Sequence, residues 1–284
     1  MKNQSDNEAR RAYWTAKMEE AFEFMGHIRL YPVEECGEPM VTMADAAADA
    51  GVEVIFSELP HVQGLPRHYL LRAGLMNDFI HCARAMNECG WIMRVEDAFR
   101  TMKIQKFLAR APHTFDVVLE RLLWECDGAQ PNVEFVIRRV GALVASAPKV
   151  GTHMSGSAID ISVLDRLSGR EIDRGCPYLE LSELTPMDSP FISDEARANR
   201  AAITALMGRH GFVTYPWEFW HYSKGDAYDH YLNQSGHTAR YGAVHVTVTD
   251  GSVEAIAAPL TPLNSNAEIE SEMRAAKRRN EQKK

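Results

Sequence analysis

Apolar residues recur at intervals of three or four along much of the chain, a spacing that places them on one face of a helix. The pattern predicts helices over residues 8–25, 67–88, 102–111, 114–126 and 133–147, and one that begins after Ser193. Serine commonly caps helix N-termini and proline interrupts helices, so Ser193, Pro112 and Pro131 agree with these limits. The sequence therefore predicts a chain rich in helix.

Shorter stretches have the alternation or the composition of β-strands. They cover residues 52–56, 91–95, 158–164 and 212–223, and a hairpin is predicted from 241–249 and 253–258. Within the third stretch, Ile159, Ile161 and Val163 fall on one face, because side chains alternate along a strand. Asp160 falls on the opposite, polar face.

The composition narrows the class of protein. The chain has 284 residues, 45% of them hydrophobic and 25% charged, which is enough for a sizeable core in one or two domains. A net charge of −8 argues against nucleic acid as the main partner, because phosphate binding needs a basic face. The polar N-terminus lacks the apolar segment of a secretory signal, and no stretch approaches the ~18 apolar residues of a membrane span. We therefore predict a cytoplasmic protein with a small-molecule partner, whose oligomeric state the sequence does not indicate.

The five cysteines are scattered along the chain and form no CxxC pair. This pattern excludes a sulfur-rich zinc module and a thioredoxin-type site. Together with the missing secretory signal, it favours free buried thiols in a reducing compartment. A metal site in this chain would therefore use histidine and carboxylate ligands.

Two histidines and one aspartate stand where neighbouring strands can bring them together. His153 lies in a turn before the strand that carries Asp160, and His221 lies on a later aromatic strand. Two imidazoles and one carboxylate can hold a metal ion and leave a coordination position open. Glu218, three residues before His221, is then well placed to be the base that acts on a metal-bound water.

These residues belong to two motifs that resemble a known family. The string His153-Met-Ser-Gly-Ser-Ala-Ile-Asp160 resembles the HxxGxAxD motif of the zinc D-alanyl-D-alanine metallopeptidases, and Glu218-Phe-Trp-His221 resembles their ExWH motif. Asp97-Ala-Phe-Arg100 is similar to the Asp-Ala-Tyr-Arg-Pro segment of the D-Ala-D-Ala dipeptidase branch, which includes the vancomycin-resistance dipeptidases. The resemblance covers residues 91–224, about half of the chain.

The resemblance implies a fold, a cofactor and a set of roles. The implied fold is α+β, with a central antiparallel sheet that carries the zinc site and helices packed on one face, as in hedgehog and D,D-peptidase domains. One Zn²⁺ per chain would be held by His153, Asp160 and His221. Glu218 would be the catalytic acid/base, and Arg100 would stabilise the transition state. The implied reaction is the hydrolysis of D-alanyl-D-alanine or a similar D-containing dipeptide.

One set of substrate contacts is predicted from a departure from the family motif. Gly151 stands two residues before the first histidine, where the family usually has the serine of an SxH string. If that serine binds substrate in the relatives, Thr152 or Ser155 would supply the contact here. The arginine segment also departs from the family pattern, because it has Phe-Arg-Thr in place of Tyr-Arg-Pro.

Two further substrate contacts are predicted beside the motifs. Residues 186–191 resemble the family's D-M-G-x-x-F-D region loosely, and Asp188 is the candidate in this segment for binding the amino group of the substrate. Trp220 precedes the last metal ligand and is expected to form a wall of the site. The other aromatic residues of that strand are expected to belong to the core.

The predicted organisation has three parts. Residues 1–90 form an N-terminal helical extension packed on the core, residues 91–262 form the zinc peptidase core with its C-terminal hairpin, and residues 263–284 form a charged tail. From Arg274 onward, the tail carries six Lys or Arg residues against one acidic residue, Glu281. A solvated helix end is the simplest interpretation of such a basic segment.

Several other functions stay open at this point. The same chemistry would serve a D,D-carboxypeptidase or endopeptidase acting on peptidoglycan stem peptides, and the metal fold also suits a non-catalytic zinc module. A non-haem iron oxygenase uses a similar ligand set, but it usually has His-x-Asp spacing and gives Glu218 no role. A di-iron helical site would need a second Glu-x-x-His motif, and the one available, Glu58 to His61, contains Pro60, which disfavours a helix.

Overall fold

The computed structural model of the chain describes residues 2–283; Met1 and Lys284, the outer ends of the predicted extension and tail, lie outside it. The helices in this range are α1 (Lys2–Leu30), α2 (Met43–Asp49), α3 (Met76–Glu88), α4 (Met102–Leu108), α5 (Pro112–Glu125), α6 (Val133–Leu143), α7 (Asp194–Arg209), α8 (Ala227–Leu232) and α9 (Asn266–Lys283). The strands are β1 (Met40–Thr42), β2 (Val54–Phe56), β3 (Leu70–Arg72), β4 (Trp91–Asp97), β5 (Ala158–Asp165), β6 (Val213–Thr214), β7 (His221–Ser223), β8 (Val244–Val246) and β9 (Val253–Ala255).

A five-stranded sheet in the order β2–β4–β5–β7–β6 forms the centre of the fold. The strands β4, β5, β7 and β6 are antiparallel neighbours, as predicted, and β2 joins the edge of β4 in parallel. The combination of this sheet with the helices confirms the predicted α+β class. The register places Asp160 of β5 opposite Asp97 of β4 and His221 of β7, so these three residues lie side by side on adjacent strands.

The two faces of β5 have different partners. Ile159 and Ile161 are fully buried and pack in one cluster with Phe79 of α3 and Met207 of α7. Burial of each such side chain contributes about 1.5–3 kcal/mol, so this face fixes the sheet against two helices. Because side chains alternate along the strand, Asp160 points to the opposite face.

Residues 1–90 contribute strands as well as the helices predicted for them. The predicted helix over residues 67–88 begins only at Met76, because residues 70–72 form β3 and pair with β1. The strand β2 pairs with β4 inside the central sheet. The predicted domain boundary after residue 90 therefore falls within a sheet that both sides share.

The first helix packs along the segment that precedes β5 and along α8. Trp14 and Met18 of α1 are buried against Ala142 of α6. Near the end of α1, Phe24 meets the ring of Tyr228 edge to face, with 4.9 Å between the ring centroids. The extension is thus attached to the rest of the fold along most of the length of α1.

The charged tail forms α9, which packs on α5 and α6. Ile269 and Ala276 are buried in a cluster with apolar residues of those two helices. On the outer side of the contact, Arg279 binds Asp116 of α5 at 2.7 Å. The expectation of a solvated helix end therefore holds for only one face of this helix.

Two expectations drawn from composition can be compared with the structure. All five cysteines are free, as predicted, but Cys82 is the one that is fully buried, whereas Cys36 and Cys89 are exposed. Within residues 2–283, no helix combines the length and the apolar character needed to cross a bilayer.

Gly156 links the N-terminal part of the fold to the turn before β5. Its φ is +67°, and its carbonyl accepts a hydrogen bond from Arg72 N at 2.9 Å. The buried Arg72 side chain also donates through Nε to the carbonyl of Ser155 at 2.5 Å. A Cβ atom at Gly156 would overlap the end of buried Met40. The turn therefore requires glycine both for its backbone conformation and for the space it leaves.

We expect Gly156→Ala to lower the free energy of unfolding by about 2–4 kcal/mol, because a left-handed alanine is strained and Met40 must move. Gly169→Ala is the matched control, since Gly169 has the same φ of +67° with nothing within 4 Å of its Cβ position. The control should lose only about 1–2 kcal/mol. Urea denaturation measures both losses, and equal losses would show that the Met40 contact contributes nothing.

Candidate metal and catalytic site

Three predicted ligands converge on one buried point. Asp160 of β5 pairs with His221 of β7, and His153 lies in the 3₁₀ turn Thr152–Ser155, which Gly156 ends in a left-handed conformation. The ligand atoms of the three side chains lie within 4.8 Å of one another, and all three residues are buried. Two paired strands and one glycine-terminated turn are thus sufficient to bring these side chains together.

The hydrogen bonds of His153 test whether this cluster suits a metal ion. His153 Nδ1 lies 2.6 Å from the carbonyl oxygen of Ala98, and a carbonyl only accepts, so Nδ1 carries the proton. In a neutral imidazole, Nε2 then presents a lone pair to Asp160 Oδ1, which is 3.2 Å away. His221 Nδ1 lies 3.0 Å from the same oxygen. His153 Nε2 and Asp160 Oδ1 are thus two acceptors that face each other, an arrangement that a cation between them would stabilise. Two imidazoles with one carboxylate are a ligand set that suits zinc.

Asp160 uses its second oxygen, Oδ2, to bind two further side chains. Arg100 Nη2 donates to Oδ2 at 3.2 Å, and the hydroxyl of Tyr178 donates to it at 3.0 Å. Burial raises the pKa of Tyr178 well above its usual value, so the hydroxyl remains a donor. Although burial opposes ionisation, His153 and His221, when protonated, hold the pKa of Asp160 well below its usual value, and a cation held in the same place would act in the same direction. Asp160 is therefore a carboxylate with both oxygens engaged.

Arg100 is itself held by a second buried carboxylate, that of Asp97. Arg100 Nε donates to Asp97 Oδ2 at 2.7 Å, and Arg67 Nη1 lies 3.3 Å from Oδ1. His61 Nδ1 accepts from the backbone N–H of Val62 at 2.7 Å, so Nε2 carries the proton and donates to Asp97 Oδ2 at 3.1 Å. Burial opposes the charge on Asp97, but Arg100 and His61 keep its pKa below the usual range.

Glu218 lies in the turn between β6 and β7 and lines the same cavity as the three clustered side chains. Burial raises the pKa of its carboxyl group to about 7, and the neighbouring His221 opposes this shift. A cation held by the cluster would also favour the carboxylate form. Glu218 is therefore placed to take up and release a proton beside the cluster.

The structure brings two of the predicted substrate-binding residues to this cavity and leaves a third outside it. Thr152 and Trp220 line the cavity, and Thr152 Oγ1 lies 2.9 Å from His221 Nε2. Ser155 does not line it; its buried hydroxyl donates to the carbonyl of Thr152 at 2.6 Å. The 3₁₀ turn thus uses Ser155 to close itself, which departs from the expectation of a substrate contact.

Asp188 also departs from its expected position. Its carboxylate accepts a hydrogen bond from the hydroxyl of Tyr13 at 2.7 Å and binds Lys17 at 2.8 Å. Both partners belong to α1, and Asp188 is not among the residues that line the cavity. The geometry therefore pairs this carboxylate with a lysine of the chain itself, where the sequence suggested the amino group of a substrate.

Tyr178 and His61 both take part in the hydrogen bonds around the site, and no local pattern in the sequence points to either of them. Tyr178 lies in an irregular loop between β5 and α7, where no periodicity or motif distinguishes it. In the sequence, His61 stands out only as the last residue of the Glu58–His61 string, whose Pro60 disfavours a helical di-iron site. Its partner is Asp97, and no local pattern in the sequence could have indicated that pairing.

A buried His–Asp–His cluster with a neighbouring acid is typical of metal-dependent hydrolases. The sequence matches a family of peptidases, peptidase family M15, described as D-ala-D-ala dipeptidase, over residues 77–240. The match covers more than half of the chain, and the chain belongs to this family. His153, Asp160, Glu218, His221 and Arg100 all lie inside the matched residues.

Two relatives that are similar in sequence bear the description of the family, and one solved structure is also similar. A D-alanyl-D-alanine dipeptidase of Synechocystis is 28% identical, over 69% of this chain and 85% of the relative. A D-alanyl-D-alanine dipeptidase of Escherichia coli is 30% identical, over 36% of this chain and 47% of the relative. The solved LdcB LD-carboxypeptidase, a structure concerned with peptidoglycan recognition, is 17% identical over 74% of this chain and 80% of its own, with a TM-score of 0.37.

We expect the purified protein to contain about one zinc ion per chain, and Asp160→Asn to lose it, because the amide cannot supply the ligand charge. Asp49→Asn, an exposed change on α2, is the control and should keep the metal. Mass-spectrometric metal analysis measures the content, and removal of zinc by a chelator should lower the melting temperature. A metal-free protein whose melting temperature ignores chelator would exclude a zinc site.

Proposed function

We propose that the chain is a zinc-dependent dipeptidase that hydrolyses D-alanyl-D-alanine or a similar D-containing dipeptide. Membership of the peptidase family supports the type of reaction, and the names of the relatives support the substrate class. The observation that carries the proposal is the buried cluster of His153, Asp160 and His221, which opens into a cavity shared with Glu218 and Arg100.

The proposal gives the three residues of the cluster one task and Glu218 another. His153, Asp160 and His221 would hold Zn²⁺, which, when bound, polarises a carbonyl group and lowers the pKa of water. Glu218 takes a proton from the attacking water onto its carboxylate and delivers it to the leaving amine as the peptide bond breaks. The carboxylate is regenerated at the end of each turnover, so a single acidic residue serves both proton transfers.

Arg100 supplies positive charge at the reacting centre. Although burial opposes its charge, Asp97 and Asp160 raise the pKa of Arg100 above its usual value. Its Nε and Nη2 are engaged by these two carboxylates, while Nη1 makes no hydrogen bond among the described residues. Nη1 is therefore free to stabilise the negative charge that grows on the carbonyl oxygen under attack. The guanidinium is fixed before the substrate arrives, so little reorganisation is needed.

We expect the zinc-loaded protein to release D-alanine from D-Ala-D-Ala, and Glu218→Gln to lower kcat by about 10²- to 10⁴-fold while keeping its zinc. Glu254→Gln, an exposed change on β9, is the matched control. A coupled assay for D-alanine and a metal analysis give the two readouts. Unchanged turnover in Glu218→Gln would show that another residue is the base. Activity confined to peptidoglycan stem peptides would show that the substrate is a longer peptide than a dipeptide.

We expect Arg100→Ala to lower kcat by about 10²- to 10³-fold, with a smaller change in KM. The reason is that the guanidinium of Arg100 stabilises charge present only in the transition state. His61→Ala should lower kcat less, since it acts through Asp97. In the Arg100→Ala background, His61→Ala should add little, because both changes act on one guanidinium.

Steady-state kinetics of the wild type, the two single variants and the double variant measure this coupling. His245→Ala, an exposed histidine on β8, is the control for the loss of an imidazole. If the losses from His61→Ala and Arg100→Ala simply add, His61 does not position Arg100.

A further inference from the structure

One wall of the cavity has no task in the proposed reaction. The cavity encloses about 210 Å³. Beyond the reacting groups, its lining includes six apolar side chains from α4, α5, the end of α6 and the loop between β5 and α7, here called the apolar wall: Leu108, Val117, Leu143, Val144, Leu179 and Leu181. All six residues are only partly buried or exposed, so their side chains still meet solvent.

Leu179 is the most unusual residue of the apolar wall. Its φ is +65°, a left-handed conformation that is unfavourable for leucine, and 56% of the residue is exposed. Its neighbour Tyr178 is held by Asp160 and meets Trp220 edge to face at 5.5 Å. The backbone thus keeps an apolar side chain in solvent directly beside the site. Strained residues of this kind cluster at places that hold ligands.

The charges of the cavity are concentrated away from the apolar wall. Among the described residues that line the cavity, the carboxylates are Asp160 and Glu218 and the guanidinium is that of Arg100. All three belong to the proposed reaction. The apolar wall carries no charge, and the titratable side chain beside it is that of His113, exposed at the start of α5. An occupant of this wall is therefore expected to be apolar.

The size of the apolar wall decides between candidate substrates. The two methyl groups of D-Ala-D-Ala are too small to cover six side chains that come from four parts of the chain. Most of the wall would then remain in contact with water after D-Ala-D-Ala binds. A side chain the size of valine, leucine or phenylalanine would cover more of it and would bury Leu179 as well.

We propose that the apolar wall binds a large apolar side chain of the substrate. The preferred substrate is then a D-containing dipeptide with one residue of the size of valine, leucine or phenylalanine. This inference rests on the proposed function and narrows its substrate class. One added methylene group in an apolar pocket changes kcat/KM by about 10- to 200-fold, so the preference over D-Ala-D-Ala should be at least about 10-fold.

The kinetic test uses zinc-loaded wild-type protein with D-Ala-D-Ala, D-Ala-D-Leu, D-Leu-D-Ala and D-Ala-D-Phe. At least one of the larger dipeptides should exceed D-Ala-D-Ala about 10-fold or more in kcat/KM. Hydrolysis in which D-Ala-D-Ala is the best substrate would overturn the inference and leave the proposed function intact.

A binding test separates the inference from the chemistry. Calorimetric titration of the zinc-loaded Glu218→Gln variant with the same dipeptides should show tighter binding of the larger one. If the wild type hydrolyses none of the dipeptides but this order of affinity holds, the proposed function is wrong, and the inference that the apolar wall binds a large side chain is still supported. Equal affinities, or no binding by any of the dipeptides, would overturn the inference.

Leu179→Ala provides the residue-level test, because its exposed side chain can be removed without disturbing the core. In the Glu218→Gln background, it should weaken binding of the favoured larger dipeptide about 10-fold and leave D-Ala-D-Ala nearly unchanged. Leu167→Ala is the matched control, since Leu167 is 97% exposed in the turn after β5. Equal effects of Leu179→Ala on large and small dipeptides would show that Leu179 does not contact the side chain.

Discussion

The carboxylate of Asp160 is the group on which the rest of the site depends. A buried charge is costly unless its lone pairs are satisfied. The two oxygens of Asp160 meet this condition with different partners. One faces the two histidines, and the other accepts from Arg100 and Tyr178. Four separate parts of the chain must therefore meet at one point on β5. The antiparallel register and the glycine-ended turn are the means by which the fold achieves this.

The support of that point extends well beyond the strands that carry it. Arg100 donates to Asp97, and Asp97 in turn accepts a hydrogen bond from His61. Arg72 donates to the carbonyl of Ser155, which lies in the same 3₁₀ turn as His153. Two of these supporting residues, His61 and Arg72, belong to the first 90 residues, which lie outside the zinc-peptidase motifs. They make that segment part of the architecture of the site as well as of the central sheet.

The sequence predicts those residues of the site that belong to a local pattern, and it misses those whose role depends on distant partners. Asp160 alternates with apolar neighbours, and His221 shares a short motif with an acid, so spacing identified both, and the family resemblance carried by those motifs implied the α+β class. Tyr178 and His61 have partners that only the tertiary fold supplies. Asp188 was expected beside the substrate, but a lysine of α1 pairs with it. Leu71 of β3 has helical spacing with Leu75 and Phe79, and only the pairing with β1 makes residues 70–72 a strand, as tertiary context often does.

The position of α1 has a consequence for the order of events during synthesis. This helix is made well before two of its partners: Arg10 binds Glu183 at 3.0 Å, and Phe24 meets Tyr231 at 5.4 Å. At translation rates of about 5–20 residues per second, the apolar face of α1 would wait on the order of 10–40 s for these partners. Over that interval, part of the apolar face of α1 stays uncovered in the nascent chain. Long-range closure of this kind also slows folding, and the cluster of His153, Asp160 and His221 is completed only after most of the chain has been made.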